Sequence, residues 1–158
     1  MNKIPSFQKN HNALLPGFYF STLQQGVATF DLRFKQPNCG DYLSPAVSHS
    51  IEHMIATAIR NGSAKDNIIY FGPMGCRTGF YLLTVHLPPA QALRCLKEAA
   101  RAALLMPAVP GAKKIECGNY KSHDLPGAKR ELQLYLQLLE SLTDAQIARQ
   151  EALYEAAL

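Results

Sequence analysis

The sequence contains no apolar run of membrane-spanning length, no internal repeat and no extended run of basic residues. A membrane-crossing helix needs about 20 predominantly apolar residues, so none is predicted. The formal net charge is only +4, and the longest basic runs are pairs at residues 113–114 and 129–130. This is too little for the basic stripe of a nucleic-acid-binding surface. Residues 1–6 are too polar for a signal peptide, so we expect a soluble, cytoplasmic protein that binds neither nucleic acid nor membranes.

Only four cysteines are present among the 158 residues. In a reducing cytoplasm they are expected to be thiols or metal ligands rather than disulfides. Cys95 lies in a helical pattern beside leucines and is interpreted as a small core residue, whereas Cys39 closes a turn without a clear chemical role. The length and the hydrophobic content of 47% predict a single domain over residues 1–158.

Hydrophobic periodicity predicts an α+β protein. Alternating apolar and polar residues predict a strand over residues 27–34. Two more strands, over 68–71 and 80–87, are joined by a glycine-rich turn, which implies antiparallel pairing. Helices are predicted after the N-cap Ser44, over 89–106, over 128–140 and from Asp144 onward. We therefore expect an antiparallel sheet of about four strands with helices packed on one face.

The segment 49–53 reads HSIEH and lies in the helix predicted after Ser44. Residues four apart on a helix lie on the same face, so the imidazoles of His49 and His53 can bind one metal ion. Glu52 lies at the edge of that face, where its carboxylate can carry a proton. The order H-x-x-E-H is that of the inverted zincins. A histidine pair at this spacing favours a metal site over two side chains that merely face solvent.

Two of the cysteines lie where a thiol can take part in chemistry. Cys76 lies in the turn between two predicted strands and is followed by Arg77. Its thiol can therefore be exposed near positive charge and act as a base or nucleophile. Cys117 precedes a glycine in a loop, where its thiolate can complete a His2Cys metal site and leave a fourth position open, as in catalytic metal centres. An inert loop thiol is the alternative interpretation of both residues.

Several segments together resemble one family over nearly the whole chain. The longer ones are HSIEH at 49–53, PMGCRTGFY at 73–81, FDLRF at 30–34 with Pro-Asn at 37–38, and ECG at 116–118. The shorter ones are Ser-Phe at 6–7 with His11, and HDL at 123–125 with Ala-Lys at 128–129. In this combination the chain resembles the S-ribosylhomocysteine lyase (LuxS) family.

The resemblance implies a small metalloenzyme that cleaves S-ribosylhomocysteine to L-homocysteine and 4,5-dihydroxy-2,3-pentanedione, the precursor of the quorum-sensing signal autoinducer-2. The sugar carbonyl moves along the chain by two aldose–ketose proton shifts, and β-elimination then releases the thioether sulfur. By resemblance His49, His53 and Cys117 bind one divalent metal per subunit. Fe(II) is the implied ion, and Zn(II) or Co(II) can replace it. The reaction serves both signalling and the activated methyl cycle, and the sequence does not decide between these roles.

By the same resemblance Cys76 is the catalytic base, as a thiolate, and Glu52 is the second proton carrier. A thiolate near neutral pH requires a lowered pKa. Arg33 is the predicted source of the positive charge that lowers it, and Arg77 is the alternative.

Ser6, His11 and Arg33 are implied to bind the substrate, the alternative for the first two being a mobile N-terminal arm. The resemblance also implies a homodimer whose two active sites lie at the interface, with the two sheets packed against each other. The chain departs from the family pattern at Tyr70, where an acidic residue is common, and at Asn10, where aspartate often occurs.

Two other functions remain open from the residues alone. A metallopeptidase would use Glu52 to activate water, but it normally takes a downstream glutamate as third ligand and requires no thiol at Cys76. A structural metal module would need a closed set of four ligands, for which His123, six residues after Cys117, is the candidate. We expect His123 instead to be a hydrogen-bonded loop histidine.

Overall fold

The computed structural model describes residue 8 and residues 10–158, which contain one antiparallel sheet of four strands. The strands are β1 (Gly17–Gln24), β2 (Val27–Arg33), β3 (Ile68–Pro73) and β4 (Gly79–Val85). Their order in the sheet is β1-β2-β4-β3, and every neighbouring pair is antiparallel. Short turns join β1 to β2 and β3 to β4, as is possible only between antiparallel neighbours.

Four helices of the described residues complete the fold. They are α1 (Pro45–Arg60), α2 (Pro89–Leu105), α3 (Leu125–Glu140) and α4 (Asp144–Glu155). Helix α1 packs on β3 and against α2 and α3, whereas α4 packs against α2 and β1. The α+β class and the four-stranded antiparallel sheet confirm the prediction. None of these helices combines the length and the apolar character that crossing a bilayer requires.

The two faces of the sheet carry different residues. On β2, the side chains of Ala28, Phe30 and Leu32 are buried in the hydrophobic core. Side chains alternate along a strand, so Asp31 and Arg33 lie on the opposite face. Both are nonetheless buried, with exposed fractions of 1% and 2%. The sheet thus buries a charged pair on the face away from the core.

Helix α1 begins where the sequence predicts. The Ser44 hydroxyl accepts the N–H of Val47 at 3.2 Å, and Pro45 occupies the first helical position, where no N–H is needed. The residues of α1 that enter the core are Val47, Ile51, Met54, Ile55 and Ile59. His49 and His53 are half-buried, at the edge of this apolar face. The core contacts of α1 therefore fix the direction in which the two histidines point.

The sequence pattern missed β1 and placed the start of α3 three residues too late. Strand β1 reads GFYFSTLQ, in which apolar and polar residues do not alternate, so no strand pattern was recognisable. Helix α3 begins at Leu125 because Asp124 caps it, its carboxylate accepting the Gly127 N–H at 2.8 Å. Pro126 is tolerated there since first-turn amides have no partner within the helix.

Candidate metal centre and active site

A cluster of four half-buried side chains lies between α1 and the loop before α3. It consists of His49 and His53 from the helix and Cys117 and His123 from the loop, with potential ligand atoms within 4.8 Å of one another. The Cys117 Sγ atom is 3.5 Å from His49 Nε2 and 3.7 Å from His123 Nε2. Two donors of one tetrahedral ion are separated by about this distance. The structure therefore brings the three predicted ligands together and places a third histidine beside them.

Backbone carbonyl groups fix how His49 and His53 present their ring nitrogens. His49 Nδ1 donates to the carbonyl of Ser122 at 2.9 Å, and His53 Nδ1 donates to the carbonyl of Pro110 at 2.8 Å. Because a carbonyl only accepts, each Nδ1 carries the proton and each Nε2 offers a lone pair. The next residue, Gly111, has φ +65°, and a Cβ there would lie 3.3 Å from His53 Nδ1. A glycine thus allows the loop to approach the ring closely.

His123 is held differently, by a hydroxyl group. Its Nδ1 lies 3.3 Å from Ser50 Oγ, which already accepts the backbone N–H of Asp124 at 2.8 Å. Among the described residues His123 Nδ1 is the only acceptor for the Ser50 proton. We therefore assign the Ser50 O–H as donor to Nδ1, which leaves the proton of neutral His123 on Nε2. In this tautomer Nε2 is a hydrogen-bond donor towards Cys117 rather than a metal ligand.

The pKa of His123 agrees with a neutral ring. Burial lowers this pKa below its ordinary value, and the neighbouring His49 and His53 lower it further. The sequence predicted a hydrogen-bonded loop histidine, and the hydrogen bond to Ser50 is present. The position of the ring beside the predicted ligands was not foreseen.

The donor set fits a divalent metal ion. Two imidazole nitrogens and one thiolate suit several first-row divalent ions, and both histidines are oriented by the backbone contacts that metal ligands commonly have. No carboxylate of the described residues joins the cluster. The His2Glu ligand set of the alternative metallopeptidase is therefore not found in this part of the chain.

A second group of polar side chains surrounds Cys76, in the turn before β4. The guanidinium of Arg33 binds Asp31 through two hydrogen bonds, of 3.1 and 2.7 Å. Its Nη1 atom donates to Thr78 Oγ1 at 2.5 Å and reaches the Cys76 thiol at 3.8 Å. The Thr78 hydroxyl is itself 3.1 Å from Cys76 Sγ. Gly79 pairs with Arg33 and allows β4 to lie close to β2 at this point, since a Cβ at Gly79 would overlap the Leu32 carbonyl.

These contacts lower the pKa of Cys76. Burial raises the pKa of the thiol, but the hydrogen bonds from the Thr78 side chain and backbone, followed by the charge and hydrogen bond of Arg33, lower it by more in total. The predicted role of Arg33 as the charge beside the thiol is thus supported by its position. Arg77, the alternative, instead lies with its guanidinium 5.9 Å from the ring centre of Tyr42.

The remaining predicted site residues lie in two clefts. Cys76 and His11 line one cleft of about 410 Å³, together with Tyr42. Glu52 lines another cleft beside His53, and its carboxylate forms no hydrogen bond within the described part of the chain. The base and the second proton carrier proposed from the sequence are therefore found in different clefts of one chain. Ser6 lies outside the described residues.

Three residues at these sites were not singled out from the sequence. Asp31 stands two positions before Arg33 on the same strand face, a spacing that could have identified it as a partner. Thr78 and Ser50 are small hydroxyl residues inside the quoted motifs, where no chemical role was given to them. Their roles depend on the hydrogen-bond partner that the fold brings to each of them, and the neighbouring sequence does not identify that partner.

Comparisons with known proteins identify the family of this chain. Residues 4–146 match the family model described as S-Ribosylhomocysteinase (LuxS). An S-ribosylhomocysteine lyase of Borreliella burgdorferi is 40% identical over 151 residues, covering 91% of this chain and 96% of the relative. Another, of Phocaeicola vulgatus, is 43% identical over 151 residues, covering 90% of this chain and 94% of the relative. This chain belongs to the S-ribosylhomocysteinase (LuxS) family.

Proposed function

We propose that this protein is an S-ribosylhomocysteine lyase, a metal-dependent carbon–sulfur lyase that produces L-homocysteine and 4,5-dihydroxy-2,3-pentanedione. The observation that carries the proposal is the hydrogen-bonded thiol of Cys76 in a chain of this family. A thiol with a lowered pKa can remove protons from carbon at neutral pH. Neither a metallopeptidase nor a structural metal module requires such a thiol.

The thioether sulfur becomes a leaving group only when a carbonyl stands next to the carbon β to it. In each of two shifts, Cys76 removes a proton from the carbon beside the carbonyl and returns it to the neighbouring carbon, through an enediolate. Glu52 carries the protons of the sugar oxygens. In the last step a base, which we assign to Glu52, takes a proton from the carbon next to the carbonyl. The C–S bond breaks, its electron pair leaves with sulfur, and the thiolate takes a proton from Glu52 to give homocysteine. The enol that remains tautomerises to 4,5-dihydroxy-2,3-pentanedione.

His49, His53 and Cys117 would hold the metal ion. When bound, the ion supplies Lewis-acid stabilisation of the negative charge that develops on the sugar oxygens. We propose Fe(II) as the ion used by the protein, with Zn(II) and Co(II) as functional replacements, because two imidazoles and a thiolate suit all three. In the tautomer assigned above, His123 would not be a ligand, so an ion held by His49, His53 and Cys117 would remain accessible to substrate.

His11 and Arg33 are proposed to bind substrate together with Ser6. His11 lines the cleft that contains Cys76, and Nη1 of Arg33 lies 3.8 Å from the Cys76 sulfur. Hydroxyl and carbonyl oxygens of a sugar are suitable acceptors for both side chains. We further propose that residues 1–158 form one domain acting in the cytoplasm, in keeping with four cysteines that are all free thiols.

Fe(II)-loaded protein, prepared without oxygen, is expected to release one homocysteine thiol for each S-ribosylhomocysteine consumed. Titration of the released thiol, with chromatographic detection of the dicarbonyl product, measures the reaction. Unstructured peptides incubated with the same protein serve as the control for peptidase activity. Peptide cleavage without thiol release, or no release from fully metallated protein, would overturn the lyase proposal.

We propose in addition that the protein is a homodimer whose active sites are shared between subunits. The separate clefts of Cys76 and Glu52 support this, because one substrate must reach both groups. The sheet face that carries Asp31 also presents the partly exposed rings of Tyr19 and Tyr81, opposite it on the neighbouring strands. Packing two such faces together would cover these rings.

Co-expression of Cys76→Ala chains with Glu52→Gln chains is expected to restore activity. If each site takes Cys76 from one subunit and Glu52 from the other, a mixed dimer contains one intact site and one doubly altered site. Random association gives mixed dimers in about half of the population, so about a quarter of wild-type activity should return. Each variant expressed alone is the control. A co-expressed sample no more active than its parents would place both groups in one subunit.

A further inference from the structure

The hydroxyl of Thr78 lies between the guanidinium of Arg33 and the thiol of Cys76. Its Oγ1 atom is 2.5 Å from Arg33 Nη1 and 3.1 Å from Cys76 Sγ. The side chain is buried, with an exposed fraction of 1%. The Cys76 side chain is exposed and borders the cleft, and Thr78 lies at the same cleft. With so little of its surface exposed, Thr78 is placed to contact the reactive sulfur rather than a substrate.

Donor and acceptor chemistry fixes the direction of both hydrogen bonds. A guanidinium group only donates, so Thr78 Oγ1 must accept from Arg33. The hydroxyl has one proton, and Cys76 Sγ is its other hydrogen-bonding neighbour among the described residues. The O–H of Thr78 is thus directed at the sulfur. Asp31 holds Arg33 through two hydrogen bonds and so keeps its Nη1 atom aimed at the hydroxyl.

We propose that Thr78 is a positioning residue for the lyase reaction, whose hydroxyl is oriented by Arg33 and donates to the Cys76 thiolate. The inference rests on the proposed role of Cys76 as a base. A hydrogen bond to the charged form of the thiol favours that form, and a fixed donor also holds the sulfur in one place. Arg33 alone would reach the sulfur only at 3.8 Å.

Other charged or titratable groups face the same thiol. His11 shares its cleft, Arg77 follows it in the chain, and Tyr81 on β4 interacts with its charge. Among the described residues the side-chain hydrogen bonds to Cys76 Sγ come from Arg33 and Thr78, not from Arg77 or Tyr81. Removing the Thr78 hydroxyl therefore takes away one donor to the sulfur and the acceptor of Arg33 Nη1, while every charged group around the thiol is retained.

The test is the pH dependence of Cys76 alkylation in the intact, metal-loaded protein. Iodoacetamide reacts with the thiolate, and mass spectrometry of the Cys76 peptide separates its modification from that of the other cysteines. We expect Thr78→Val to raise the midpoint of this profile by about one pH unit, so that alkylation at pH values well below the wild-type midpoint slows about tenfold. Thr78→Ser, which keeps the hydroxyl, should restore the wild-type midpoint.

Thr84→Val is a matched control on the adjoining strand β4. The Thr84 hydroxyl is also buried but has no hydrogen-bond partner among the described groups, so its removal should leave Cys76 alkylation unchanged. The backbone of Thr78 accepts the N–H groups of Phe34 and Lys35 at 2.9 Å, and valine retains both contacts. A folded Thr78→Val protein with the wild-type profile would overturn the proposal, as would failure of serine to restore the midpoint. Alkylation needs no substrate, so a shifted midpoint in a protein that releases no homocysteine would overturn the lyase proposal alone.

Discussion

Replacing Cys76 with alanine is expected to lower homocysteine release by about 10³-fold or more while the protein keeps its metal. General-base catalysis typically contributes about 10²- to 10⁴-fold, and the proposed mechanism uses Cys76 as the base in both carbonyl shifts. The metal cluster contains none of the residues around the thiol, so its affinity should not change. Thiol titration measures the activity, and metal analysis of the same sample measures the metal content.

Cys39→Ala is the matched control, because Cys39 is also an exposed free thiol and has no proposed role. It should retain wild-type activity. Glu52→Gln keeps the size of the side chain but cannot carry a proton, so its activity should fall by about 10²-fold or more with the metal retained. A metallated Cys76→Ala protein that keeps a tenth of wild-type activity would show that the base lies elsewhere.

The pH dependence of turnover in the wild-type protein also tests the assignment of Cys76 as the base. A base acts in its deprotonated form, so turnover should rise with pH as Cys76 loses its proton. Because the pKa of Cys76 is lowered, this rise should be complete at a lower pH than an ordinary thiol would allow. In Thr78→Val the rise should move to higher pH, and the loss of turnover relative to wild type should shrink as the pH increases.

Helix α1 and its two histidines were predictable because neighbouring residues determine both the helix and the histidine spacing. His49 and His53 share a face through the four-residue spacing alone, and the cap at Ser44 fixes where the helix starts. The three predicted ligands meet as expected, although Cys117 comes from a distant loop. The resemblance to the family, not the spacing, selected that cysteine. Local pattern and family pattern thus contributed different parts of the same cluster.

The hydrogen bonds that adjust the reactive groups could not be predicted in the same way. Ser50 and His123 are 73 residues apart, and Thr78 and Arg33 are 45 residues apart. Each pair meets only after the loop or the sheet has formed, and neither residue type signals a partner by itself. In both cases a hydroxyl accepts a hydrogen bond from a fixed donor and therefore donates its own O–H to a functional side chain. This arrangement depends on tertiary distance and direction, which a sequence pattern does not contain.

Replacing His53 with alanine is expected to abolish stoichiometric metal binding, whereas His123→Ala should retain it. Loss of a ligand from a three-ligand set should weaken binding by on the order of 10³-fold, more than the roughly 10- to 100-fold typical of residues that only contact ligands. Competition with a chelator, using Co(II) as a visible probe, measures both affinities. His49→Ala should behave as His53→Ala does.

The comparison separates an open site from a closed one. If His123 only donates its Nε2–H towards Cys117, its removal leaves the three ligands and their carbonyl contacts in place, so a Co(II) spectrum typical of thiolate ligation should persist. If His123 were a fourth ligand, its loss would weaken binding as much as the loss of His53. Equal losses of metal affinity in the two variants would favour a closed, structural metal site. If the wild-type protein bound no metal, the proposed metal centre would be wrong. Retention in His123→Ala alone would leave a coordination position for a sugar oxygen, which the lyase chemistry requires.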